Sequence, residues 1–148
     1  MRYLWLVLLL LFPLGVFAQG ESNEQTLRDF VNQVYNDGDI ALIADYFAED
    51  YVRHPVESNR LDLINTVLGL RGAMPNLQAT IEVVITQGDF AALRMRLSGT
   101  FQNVLTFPNT PPIEPTGQPF TLLFNSIFRF DDNGLIVEEW GGVDNLLF

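Results

Sequence analysis

The feature that most constrains this chain is a change of hydrophobic period near Thr80. Before that point apolar residues return at helical spacing. After it they return at every second residue. Leu27, Phe30, Val31, Val34 and Tyr35 form one apolar helix stripe. Ser22 and Gln25 stand at capping-box spacing before it, and Gly38 is placed to end it. Asp39 is placed to cap a short second helix through Ile40, Ile43, Ala44 and Phe47. Tyr51 to His54 reads as extended, because Pro55 pushes His54 away from helical angles. A third helix is expected from Ser58 or Asn59 through Leu61, Ile64, Val67, Leu68 and Arg71, with Pro75 stopping it.

From Thr80 the expectation is strand. Ile81, Val83 and Ile85 alternate with Glu82, Val84 and Thr86, and Gly88-Asp89 makes a hairpin turn. Ala91, Leu93, Met95 and Leu97 then face one way, and Ala92, Arg94, Arg96 and Ser98 the other. Pro108 to Pro119 holds five of the eight prolines and reads as an irregular loop. Phe120–Phe130 is a long strand, Asp131–Gly134 a turn, and Leu135–Trp140 the last strand. On that last strand Ile136, Glu138 and Trp140 are expected on one face, with Val137 and Glu139 on the other. Helices followed by strands define an α+β domain. A curled antiparallel sheet with helices against one face leaves a conical cavity, a setting for apolar small molecules.

The N-terminus reads as a leader outside that domain. Arg2 precedes an apolar run from Tyr3 to Phe12. Pro13 and Gly15 break the run, and Val16-Phe17-Ala18 follows. This is the layout of a secretory signal peptide cleaved after Ala18. An uncleaved anchor is the other reading, but Tyr3 to Ala18 is shorter than the roughly 20 residues of a spanning helix. The expected organisation is residues 1–18 as signal peptide and residues 19–148 as one domain. The protein would then be periplasmic or secreted, and its mature domain not inserted in a membrane. There is no Cys to carry a lipid.

Composition narrows the chemistry. Without Cys there is no disulfide, thiolate nucleophile or Cys-ligated metal. All eight basic residues are Arg, so Schiff-base chemistry is excluded. A single His makes a multi-His metal site impossible within one chain. No metal site and no cofactor are expected. A formal charge of −10 argues against nucleic acid and against anionic lipid.

Two residues stand out as chemistry-bearing. His54 is either a general base or hydrogen-bond donor, or a half-buried histidine beside a proline turn. Asp144, set among Trp140, Val143 and Leu146, is either a cavity-wall carboxylate able to shuttle protons or a turn aspartate after two glycines. Trp140 either packs a ligand ring or fills core. Arg94 and Arg96 share a strand face, either pairing with an acid such as Glu138 or forming a solvated edge.

Taken in order, the segments resemble SnoaL-like polyketide cyclases and ester cyclases. Phe30–Asp39 (FVNQVYNDGD) and Phe47–Pro55 (FAEDYVRHP) are similar to the opening of that family. Met74–Leu77, Gly88-Asp89 with Arg94 and Ser98-Gly99-Thr100, and Pro115–Pro119 (PTGQP) are similar to its middle. Phe128–Phe130 with Asn133–Trp140 and Asp144 is similar to its end. The resemblance implies a cone-shaped, curved antiparallel sheet wrapped around N-terminal helices, as in the nuclear transport factor 2-like superfamily. It implies cofactor-free acid–base catalysis, in which an aspartate helped by a histidine moves a proton beside a carbonyl and an aldol closes a ring. Carried over, Asp144 and His54 take the catalytic positions. Tyr51, Arg94, Phe124, Glu138 and Trp140 are expected to bind a small hydrophobic or carbonyl substrate. Sheets of this superfamily often pair through their outer faces, which implies a homodimer. The chain departs from the family at Phe101, where His or Asp is frequent, and at Asn125 and Ser126, where a histidine is frequent. A non-catalytic small-ligand-binding or dimeric interaction module of the periplasm is therefore the alternative.

Overall fold

The computed structural model describes residues 15–55, 57–108 and 110–143. The apolar run of the expected leader and Asp144 lie outside the described residues. Helix α1 spans Gly15–Phe30 and continues as a π-helical turn over Val31–Asp37. A 3₁₀ turn (Ile40–Leu42) leads into the one-turn α2 (Ile43–Tyr46), then β1 (Phe47–His54) and α3 (Arg60–Ala73). Four strands follow: β2 (Gln78–Gln87), β3 (Phe90–Thr100), β4 (Pro119–Phe130) and β5 (Ile136–Val143). They form one sheet in the order β1-β5-β4-β3-β2. β1 runs parallel to β5, and every other pair is antiparallel. This is the α+β order expected from the change of period, with the sheet wrapped on N-terminal helices that the resemblance implies.

Several local expectations differ from what forms. α1 begins at Gly15, so Ser22 lies inside it, and its carbonyl accepts from the Thr26 hydroxyl at 3.0 Å instead of capping. A helix already propagating through Ser22 has no free N–H groups there to cap. Asp39 makes no side-chain cap, and Phe47 opens β1 instead of closing a helix. The capping box stands at α3. There Asn59 Oδ1 accepts from the backbone N–H groups of Leu61 and Asp62, and Asp62 Oδ2 accepts from the Asn59 N–H.

Gly38 is required twice over. Its φ is +83°, and an added Cβ would stand 2.7 Å from the Arg71 guanidinium. That guanidinium donates to the carbonyls of Tyr35 at 2.5 Å and Asn36 at 3.0 Å, satisfying the end of the first helix. Asn36 next to it protects the exposed edge of β2. Its Oδ1 accepts from the Ala79 N–H at 2.7 Å and its Nδ2 donates to the Ala79 carbonyl at 3.1 Å, as a neighbouring strand would. Asn36→Ala leaves both backbone groups unpaired. It is expected to cost about 1–3 kcal/mol, read as a lowered urea midpoint at unchanged slope.

Two bulges decide which side chains face inward. The β2–β3 register shifts between Ile81 and Val83, and the β4–β5 register shifts where Phe130 faces Ile136 but Arg129 faces Glu138. Each bulge adds one residue, so alternation reverses beyond it. Ile81 and Val84 pack against the core, while Val83 and Ile85 are exposed. On β5, Ile136 and Glu139 are buried, while Trp140 stands outside and is exposed. This corrects the expected single face for Ile136, Glu138 and Trp140.

The core fills the space between the concave face of the sheet and the helices. Leu27, Phe30, Val31, Val34, Ile43, Leu63, Val67 and Leu70 meet Leu93, Met95, Leu97, Phe128 and Phe130 there. Phe30, Phe47 and Tyr51 stack edge to face at 4.9 and 4.8 Å, joining the helical layer to β1.

Candidate functional site

A cavity of about 30 Å³ lies inside the cone. Phe30 and Tyr35 come from the first helix, Leu63 and Thr66 from α3, and Phe47 and Arg53 from β1. Leu93 and Met95 of β3, Phe124, Ser126 and Phe128 of β4, and Glu139 of β5 complete the wall. Most of the wall is apolar, and Arg53, Ser126 and Glu139 form a polar cluster on it.

Glu139 is the centre of that cluster, with 6% of its surface exposed. Its Oε1 accepts from Ser126 Oγ at 2.7 Å and its Oε2 accepts from the Tyr51 hydroxyl at 2.5 Å. Arg53 Nε stands 3.4 Å from Oε1. The strand register explains the meeting, because Arg53 pairs with Glu139 across β1–β5, and Ser126 faces Gly141 across β4–β5. Gly141 provides the clearance. A Cβ there would lie 2.6 Å from Glu139 Oε1, 2.7 Å from Ser126 Oγ and 3.2 Å from Arg53 Nη2. Burial and then the Glu139 carboxylate push the phenols of Tyr51 and Tyr35 upward. Both therefore stay protonated near neutrality, and the Tyr51 hydroxyl remains a donor.

The sequence-expected residues divide between the two faces of the sheet. Tyr51 and Phe124 are on the inside, Tyr51 as Glu139's donor and Phe124 in the cavity wall. His54, Arg94, Glu138 and Trp140 are on the outside. His54 Nε2 pairs with Glu138 Oε1 at 2.9 Å, and its ring stacks on Trp140 with centroids 5.6 Å apart. Arg129 donates from Nε and Nη2 to the other Glu138 oxygen. Those hydrogen bonds, from Arg129 first and His54 second, hold the Glu138 carboxyl below the usual range. Arg94 and Arg96 share Glu82, and Arg94 also donates to Asn125. His54 does not line the inner cavity. Adjacent strand residues point to opposite faces, so Arg53 inside sends His54 outside.

Arg53, Ser126 and Glu139 were not singled out by sequence reasoning as site residues. A signal for Glu139 existed in the Glu138-Glu139 pair, one of which must face inward. Only the bulge decides which.

Among the described residues, no group of three or more His, Cys, Asp or Glu side chains is arranged to hold a metal ion. No helix among them is long and apolar enough to cross a membrane.

Residues 25–147 match the family of SnoaL-like polyketide cyclases. The chain belongs to that family. Its structure is similar to TsrD from Streptomyces laurentii, with a TM-score of 0.72 and 23% identity, covering 85% of this chain and 90% of that one. It is also similar to wild-type IdmH from Streptomyces antibioticus, with a TM-score of 0.67 and 25% identity over 84% of this chain and 93% of that one. A SnoaL-like polyketide cyclase from Agrobacterium tumefaciens has a TM-score of 0.67 at only 10% identity, over 84% of this chain and 92% of that one. At such low identities the likeness carries the fold. No curated protein matches the chain.

Proposed function

We propose that this chain is an exported SnoaL-like domain that takes the carbonyl end of a small hydrophobic compound into its inner cavity and performs cyclase- or isomerase-type acid–base chemistry there. One observation carries this reading. The cavity wall is largely apolar, and a buried carboxylate, a guanidinium and a hydroxyl meet on it. Such a combination orients one polar group of an otherwise apolar ligand. The size of the space favours a compact ligand. Pockets for drug-sized ligands run to roughly 300–1,000 Å³, so a cavity of about 30 Å³ admits only a small group. The leader pattern of Arg2, Tyr3–Phe12 and Val16-Phe17-Ala18 supports export.

A second observation supports a homodimer. Val83, Ile85, Phe90, Ile127 and Trp140 are all exposed on the outer face. Trp140 stands 6.3 Å from Phe90, and the groove beside it, of about 360 Å³, is lined by Val83, Ile85 and Ile127. An apolar patch of this kind, with Arg94 and Asn125 beside it, supports association through this face. The alternative, a non-catalytic ligand-binding module, is favoured by the outward placement of His54.

Native mass spectrometry of the protein purified from its own host tests these readings together. The expected spectrum is a dimer of chains beginning at Gln19, carrying a small organic ligand. A monomer removes the dimer, an intact leader removes cleavage, and a protein free of any organic ligand counts against the pocket.

A further inference from the structure

A cavity of about 30 Å³ has no room for an organic ring, so a ring-bearing ligand enters only if part of the wall moves. We infer that the N-terminal half of α3, Arg60–Thr66, is the gate of this cavity. In this reading α3 tilts on its anchored C-terminal half, and the hydrogen bond from Arg60 to the Phe47 carbonyl is the latch. The inference rests on the cavity reading above and adds how the cavity is entered.

The two halves of α3 are held differently. Arg71 Nη1 donates to the carbonyls of Tyr35 and Asn36. The Ala73 carbonyl accepts from the backbone N–H groups of Gln102 and Asn103, each at 3.0 Å, and the Gly72 carbonyl accepts from Asn103 Nδ2 at 2.8 Å. At Gly69 an added Cβ would stand 2.8 Å from the Thr106 carbonyl, so the chain after β3 lies directly on the helix there. Val67, Leu70 and Ala73 are all buried. Within Arg60–Thr66 only Leu63 is buried, and Leu61 is exposed. Among the described residues, one hydrogen bond joins this half to another element, from Arg60 Nη1 to the Phe47 carbonyl at 3.1 Å.

The loosely held half is the one that faces the cavity, through Leu63 and Thr66. Its first turn is self-contained, because the capping box of Asn59 and Asp62 satisfies leading N–H groups from within. Tilting therefore strands none of those donors. Leu63 lies roughly 12 Å from Arg71 along the helix axis, so a tilt of about 15° moves it by about 3 Å. That is close to the thickness of an aromatic ring. Ser58 exchanges backbone hydrogen bonds with Arg53 at 2.9 and 3.3 Å, which keeps the preceding turn on β1 and limits the swing.

The chain has no cysteine, so an introduced thiol reports on its own site. The test follows labelling by methyl methanethiosulfonate, read by mass spectrometry, in Leu63→Cys on the gate and Val67→Cys on the anchored half. Each is measured with and without Arg60→Ala. Leu63→Cys is expected to label faster than Val67→Cys. Arg60→Ala is expected to speed labelling of Leu63→Cys by about 10-fold, the effect of losing one hydrogen bond to a charged group, and to leave Val67→Cys unchanged. If Leu63→Cys does not fold, Thr66→Cys, of nearly native volume and on the same wall, carries the comparison. Equal labelling of the two halves, no response to Arg60→Ala, or an equal response in both halves overturns the gate. The bicyclic ketone 1-indanone separates this from the cavity reading. It is expected to raise the melting temperature and to slow labelling of Leu63→Cys. If it does neither while the labelling pattern holds, the cavity reading falls and the gate stands. If it stabilises the protein without that pattern, the gate alone falls.

Discussion

Phe47→Ala is expected to lower the unfolding free energy by about 3–5 kcal/mol, the range for truncating a buried aromatic. Phe47 is 1% exposed and stands at the junction of helix and sheet. Its ring packs edge to face on Phe30 at 4.9 Å and on Tyr51 at 4.8 Å, and its backbone begins the parallel pairing of β1 with Ile136. Removing the ring opens a void between the helical layer and β1 that neither neighbour can close without leaving the other. The void also meets the inner cavity, since Phe47 lines it. Urea unfolding measures the loss. A change below about 1 kcal/mol would show that the helices do not depend on this contact.

Glu139→Ala is the second large effect, at about 3 kcal/mol. The deletion strands the Tyr51 hydroxyl, which is buried, the Ser126 hydroxyl, which is also buried, and the half-buried Arg53 guanidinium. Glu138→Ala next door removes an equally charged residue that pairs with both His54 and Arg129. Yet that pairing is on the solvent side, where ion pairs contribute about 0–1 kcal/mol. Two adjacent glutamates should therefore differ several-fold in their contribution to stability. Parallel urea curves for the two variants make the comparison, and equal losses would mean that the inner cluster is better hydrated than its burial indicates.

The fold was legible because it depends on period. Leu27 to Tyr35 at helical spacing, and Ala91 to Leu97 at alternate positions, each admit one packing arrangement, and both are found. The capping role expected of Ser22 and Gln25 was misleading, because the helix already runs through both. The site was legible only in part, for a similar reason. Strand alternation assigns faces correctly until one residue is inserted. The bulges beside Glu82 and Val137 each reverse the assignment, and neither is marked by a glycine or proline. Trp140 and Glu138 consequently moved outside and Glu139 inside. His54 attracted attention because it is unique, and Arg53, its neighbour on β1, is the one that reaches the cavity. Uniqueness of a residue type is a fact about composition and says nothing about the face a strand presents.

The reacting space is expected inside the cone at Glu139 and Arg53, and not on the outer face at His54 and Trp140. A crystal structure of the chain from Gln19 soaked with 1-indanone tests this most directly. The ketone is expected in the inner cavity, with its oxygen toward the polar cluster of Arg53, Ser126 and Glu139. A ketone bound only in the outer groove beside Trp140 and Arg94, with the inner cleft unoccupied by it, would contradict the account.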